Sequence, residues 1–164
     1  RAKGYNMTVL YNKHTPDPEA EKELGVKLAS LDDLLAASDV VTLHLPLSDE
    51  TRNMFCKEVM SKMKKGSFLV NTARGACINE HDLVEALRAG NLGGAALDVY
   101  ANEPNIDPEL IGMENVILTP HIASATKEAR NKMGELAVGA LLDAFNDKKP
   151  QNIVNEEVWN NRRK

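Results

Sequence analysis

Arg74, Glu103 and His121 each stand just beyond a short apolar run: Phe68–Thr72, Ala95–Val99 and Val116–Thr119 respectively. In an open parallel sheet, chemistry collects outside the carboxyl ends of the strands. An arginine placed there can grip a carboxylate with a two-pronged fork. A histidine titrates near neutrality, and a neighbouring glutamate favours its charged form and fixes its tautomer. Together these side chains suit a carboxylate-bearing substrate whose reaction moves a proton at one atom while a hydride moves at another.

The rest of the chain must position them. At 164 residues it is about one domain's worth and can bury a real core. A net charge of −4 leaves no basic footprint, so no nucleic-acid partner is expected. No apolar run approaches the roughly 20 residues of a membrane helix, so no membrane partner is expected either. Cys56 and Cys77 fit no CxxC or metal-ligand spacing. They read as free thiols of a reducing, cytoplasmic compartment, with no metal expected.

Strands and helices alternate. Met7–Tyr11 is a short β-rich run, followed by helical composition from Pro18 to Leu24 with Gly25 as its stop. Ser30 opens a helix over Leu31–Ala37, with Asp33 three residues on. Asp39–Leu45 reads as a strand closed by Pro46, and Lys57–Lys64 as a short amphipathic helix before the strand Phe68–Asn71. Asn79 caps a helix over Glu80–Ala89 whose Leu83, Val84 and Leu87 share one face. Gly93–Gly94 precede a strand over Ala95–Val99, a loop carries Pro104 and Pro108, and Val116–Thr119 is the last strand before a long helix, Thr126–Phe145. Helical crossovers between strands imply an α/β, Rossmann-like, doubly wound parallel sheet. In the tail, Ile153, Val154, Val158 and Trp159 are the residues fit to dock on another surface, and Arg162–Lys164 reads as a solvated terminus.

No GxGxxG occurs, since Gly90, Gly93 and Gly94 have the wrong spacing. Met7–Tyr11 nevertheless reads like the second strand of a dinucleotide fold, and Arg1–Asn6 like the end of the helix before it. A first strand and its glycine turn are therefore expected upstream of Arg1, which makes the fold incomplete.

The ordered blocks Ser30–Leu35, Ser38–Leu47, Val70–Gly75, Ala96–Val99 with Asn102–Pro104, and Leu118–Ala123 resemble the D-isomer-specific 2-hydroxyacid dehydrogenases. Within that family the likeness is to glyoxylate and hydroxypyruvate reductases. The resemblance implies that Arg74 holds the carboxylate and polarises the keto oxygen of a 2-oxo acid. It makes His121 the proton donor and Glu103 the residue that orients it. Asp98 would meet a nicotinamide carboxamide, and Thr72 and Ala73 would line the ring, with Arg74 and His121 also bordering the cofactor. Pro46 and Thr51 would border adenosine and ribose, while Ala123 and Ser124 close the nicotinamide side. Residues 1–124 would form the dinucleotide-binding domain, and 125–164 the helix and tail that return to the substrate domain. A homodimer through the nucleotide domain is implied for the full-length protein.

Cofactor choice follows from charge. Sites for NAD carry an acid at the end of the second strand, and sites for NADP prefer a cation. The family pattern puts Lys13 at that position, with His14 beside it, so NADP is expected over NAD. His44, inside an apolar strand, and His81, opening a helix, read as structural. Leu136, Leu141, Leu142 and Phe145 read as a packing stripe for core or an interdomain face. Three other readings stay open: a 3-phosphoglycerate dehydrogenase-like enzyme, a non-catalytic dinucleotide-sensing protein on the same fold, and an inactive truncated product.

Overall fold

A computed structural model describes residues 1–162, so Arg163 and Lys164 of the basic terminus lie outside the described residues. The chain divides into two units, Arg1–His121 and Ile122 onward.

In the first unit a 3-10 turn, Ala2–Tyr5, leads to strand β1, Leu10–Tyr11. Met7–Val9, expected within this strand, lies outside it, because among the described residues β1 pairs with the two-residue β2, Lys27–Leu28, alone. Between them Asp17 caps helix α1, Pro18–Leu24, by accepting the Ala20 N–H, with Pro18 in the first turn. Ser30 caps α2, Leu31–Ala37, through the Asp33 N–H. Strand β3 covers Val40–Leu43 and stops where its partner ends, Leu43 facing Asn71. His44 is therefore outside the strand and exposed, its Nε2 3.1 Å from the Thr42 hydroxyl.

Helix α3 is only Lys57–Met60. The expected continuation to Lys64 gives way to tight turns, and the Lys64 N–H goes to the Leu35 carbonyl instead. Strand β4, Ser67–Asn71, is followed by a 3-10 turn, Gly75–Cys77, and by α4, Glu80–Arg88, which Asn79 caps through the Asp82 N–H. Strand β5, Leu92–Leu97, takes in Gly93 and Gly94, which the sequence reading set before it. A Cβ on Gly93 would stand 2.4 Å from the Gly66 carbonyl oxygen, and one on Gly94 2.5 Å from that of Asn115. The glycines let neighbouring backbone pass close to the strand. Helix α5, Pro108–Ile111, occupies the expected loop, capped by Asp107, and β6 is Val116–Leu118.

All strand pairs are parallel, as a Rossmann-type α/β fold requires, in two sheets of order β1-β2 and β3-β4-β5-β6. The free edges of β1 and β3 line one cleft of about 540 Å³, walled by Met7–Leu10 and Asp39–Thr42. Along β3 and β4 burial alternates as strand geometry demands. Val41, Leu43, Leu69, Ala95 and Leu97 share a core with Leu35, Met60, Leu83, Val84, Leu87 and Leu110 from the helices. On the other face Val40 and Phe68 remain about half exposed and Ile117 more so.

In the second unit Thr126 caps α6, Lys127–Phe145, by accepting the Ala129 N–H. Leu136, Leu141, Leu142 and Phe145 are exposed there rather than packed in a core. After α7, Val158–Asn161, the Arg162 guanidinium stacks 3.6 Å from the centre of the Trp159 ring. Ile153 and Trp159 are half-buried, whereas Val154 is exposed. Among the described residues no helix is long and apolar enough to cross a membrane.

The close approach at β5 can be tested. Gly94→Ala forces backbone apart and is expected to cost about 1–3 kcal/mol, read as a lower urea midpoint.

Candidate active site

The site is built where β4, β5 and β6 end. Asn71, the last residue of β4, is fully buried on the core face. Its Oδ1 accepts the Ala73 N–H and its Nδ2 donates to the Arg74 carbonyl, both at 3.0 Å. These bonds wrap Thr72–Arg74 into a turn that presents Arg74 outward. Arg74 is exposed, and its Nη1 donates to the Ala73 carbonyl at 2.7 Å. Thr72 is exposed on the same turn. Ala73 points inward, so any ring contact it makes is through its backbone. Gly75 then lies against the next loop: a Cβ there would be 1.9 Å from the Tyr100 carbonyl carbon.

Beyond β5 the ladder continues. The Asp98 N–H donates to the Asn71 carbonyl at 3.0 Å, and the Thr119 N–H to that of Leu97 at 2.9 Å. Asp98 is buried, its Oδ1 accepting the Thr119 hydroxyl at 2.5 Å. The Tyr100 N–H donates to Glu103 Oε1 at 3.0 Å. Glu103 Oε2 lies 2.8 Å from His121 Nδ1. His121 follows Pro120 in the left-handed backbone region, at φ 53°, a conformation that non-glycine residues adopt sparingly. Its N–H is shared between the carbonyls of Asp98 at 2.9 Å and Thr119 at 3.0 Å.

The electrostatics follow. The His121 hydrogen bond, with the Tyr100 N–H second, holds the Glu103 carboxyl below the usual carboxylate range. Glu103 is thus an anion at neutral pH and can only accept, so Nδ1 carries a proton toward it. Nε2 is left as the working atom, a donor when the ring is charged and an acceptor when it is not. That is an acid/base pair with its tautomer set.

The residues read as cofactor contacts fall into separate groups. The Thr51 hydroxyl donates to the Pro46 carbonyl at 2.7 Å, closing the loop after β3; it caps no helix there. Lys13 Nζ sits 3.6 Å from Asp17, and His14 Nε2 3.7 Å from Glu50, which brings the loops after β1 and β3 side by side. Ala123 and Ser124 are exposed and belong to the second unit. On α4, His81, Asp82 and Glu85 offer ligand atoms within 4.8 Å of one another, yet Lys57 already pairs with Glu85 at 2.8 Å.

Sequence reasoning missed three residues. Asn71 bonds within its own turn, to Ala73 and Arg74, whereas the Tyr100 hydroxyl bonds to Thr119, which only the fold brings near. Tyr11 closes the Lys13–His14 loop, its hydroxyl donating to Glu21 and accepting the Asp17 N–H at 2.8 Å. The Asn at the end of an apolar run, before a turn, was the one available signal.

Residues 1–123 match the family model described as D-isomer specific 2-hydroxyacid dehydrogenase, NAD binding domain. A glyoxylate reductase of Thermococcus onnurineus is 47% identical over 163 residues, 99% of this chain and 49% of that protein. Among solved structures, the TT0316 protein of Thermus thermophilus is 42% identical with a TM-score of 0.86, covering 93% of this chain and 48% of that one. A glyoxylate reductase of Paecilomyes thermophila is 38% identical with a TM-score of 0.85, covering 95% and 47%. The chain thus spans about half the length of these relatives.

The depressed Glu103 carboxyl sets a sign for pH dependence. Its share of stability is present above the ordinary range of about 4.3 and is lost as pH falls through the lower folded value. Carboxyl NMR should place its midpoint below that range, and His121→Ala should move it upward.

Proposed function

The chain belongs to the D-isomer specific 2-hydroxyacid dehydrogenase family, and on that premise we propose that its site reduces a small 2-oxo acid, glyoxylate or hydroxypyruvate, to the D-2-hydroxy acid. The observation that carries this reading is the 2.8 Å contact between Glu103 Oε2 and His121 Nδ1. A protein that only sensed a dinucleotide has no use for an imidazole so oriented, whereas a reductase needs a proton donor at a defined atom. A nicotinamide dinucleotide goes with the matched NAD binding domain, and when bound it supplies the hydride.

The chain's own residues do the rest. His121 gives the Nε2 proton to the carbonyl oxygen as negative charge gathers there, and takes it back in the reverse direction. Glu103 stays ionised throughout and stabilises the charged ring. Arg74, exposed at the end of β4 on a turn pinned by Asn71, holds the substrate carboxylate and draws density from the keto oxygen. Thr72, Ala73 and Asp98 serve the nicotinamide end, and Ala123 and Ser124 close it. Pro46 and Thr51 serve the ribose and adenosine, next to Lys13 and His14. Such residues fit the group because those of the first unit follow the carboxyl ends of parallel strands, where dinucleotides sit in open α/β sheets. Lys13 in place of an acid favours NADPH over NADH. A cytoplasmic homodimer completes the reading, with residues 1–124 as its dinucleotide-binding domain.

The deciding assay follows NADPH and NADH oxidation with glyoxylate and hydroxypyruvate, and NADP+ or NAD+ reduction with 3-phosphoglycerate, on the protein as its gene encodes it. Turnover with either oxo acid is expected; cofactor binding without turnover of any of the three would leave the sensing role instead. His121→Asn should lower kcat by about 10²–10⁴-fold. Arg74→Gln should raise the KM for the oxo acid and lower kcat, so that kcat/KM falls roughly tenfold or more, because a charge-assisted hydrogen bond is worth at least about 1.5 kcal/mol. Lys13→Asp should turn preference toward NADH; unchanged relative efficiencies would sink the NADPH assignment.

A further inference from the structure

The geometry points to the Tyr100 side chain as a positioning element for the Glu103–His121 pair, acting on the segment that carries His121 while the backbone of the same residue holds Glu103; this rests on the reductase reading above. Its N–H donates to Glu103 Oε1 at 3.0 Å, which leaves Oε2 turned toward the imidazole. Its hydroxyl lies 2.8 Å from the Thr119 carbonyl and 3.2 Å from that of Leu97. Thr119 stands two places before His121, and the residue between them is Pro120, which has no N–H to brace the turn. His121 must also hold a left-handed backbone there, with φ 53°. The Tyr100 hydroxyl supplies the missing brace from outside the segment. Its carbonyl, meanwhile, is the group against which Gly75 of the Arg74 turn is packed.

An aromatic ring placed for packing alone would need no such bonds. Tyr100 is buried, and burial holds its hydroxyl above the ordinary range, so it stays a donor across the working pH. Phenylalanine would fill the same space and lose only the brace.

The test is Tyr100→Phe made in two backgrounds of the protein as encoded, wild type and Glu103→Gln. In the wild type, kcat/KM for the oxo acid should fall about tenfold, as for one lost hydrogen bond, with the NADPH dissociation constant within about twofold of its original value. In the Glu103→Gln background the same change should cost less than about twofold, because the pair it positions is already broken. Imidazole nitrogen NMR without substrate gives a second readout. The neutral His121 ring should be almost wholly protonated at Nδ1 in the wild type and a mixture of tautomers in Tyr100→Phe. Equal losses in both backgrounds, or an unchanged tautomer, would overturn the assignment. If the wild type reduces no oxo acid, the reductase reading falls, and the tautomer measurement still decides the role of Tyr100.

Discussion

A missing methyl group sets the spacing of this site. At Gly75 a side chain would begin 1.9 Å from the carbonyl carbon of Tyr100, so only hydrogen allows the turn after β4 to touch the loop after β5. The contact is between backbones, the least adjustable parts of a protein. On one side of it stands Arg74; on the other, Tyr100 leads directly to Glu103 and from there to His121. The distance between the group that would bind a substrate and the pair that would move its proton is thus fixed by main chain rather than by flexible side chains.

Buried polar groups stiffen the same region. Asn71 at the end of β4 and Asp98 just past the end of β5 are both buried, where an unpaired amide or carboxylate would be costly. The fold uses them to tie turns down: Asn71 closes the Arg74 turn, and Asp98 accepts the Thr119 hydroxyl beside His121. Hydrogen bonds of the ladder run on past the strands, through Asp98 and Thr119, to the His121 N–H. The candidate side chains are delivered by the last rungs of a sheet.

Much of this was legible in sequence because it is local. Ser30 and Asn79 cap helices through N–H groups within three residues, so a short window of sequence contains both partners. Arg74, Glu103 and His121 were visible because each follows an apolar run, and the structure joins the last two directly. What could not be read depends on distant partners. Nothing near Lys27–Leu28 signals a strand, since its support among the described residues is β1, 17 positions earlier in register. Gly93 and Gly94 look like a turn until Gly66 and Asn115 are seen to press on them. Tyr100 carries no local signal of its role, because the carbonyl that accepts its hydroxyl belongs to Thr119, 19 positions on.

The order β3-β4-β5-β6 in the larger sheet is also the order in the chain. Each strand pairs with the one made just before it, across a crossover of about 20 residues, so the sheet can grow by successive addition. During synthesis from the amino terminus, the Arg74 turn and the Tyr100 loop can therefore settle before β6 emerges. His121 arrives last, 18 residues after Glu103. A nascent chain halted between Glu103 and His121 holds the Arg74 turn and the carboxylate but not the imidazole, so on the proposed reading this sheet gains its proton donor only after its final strand.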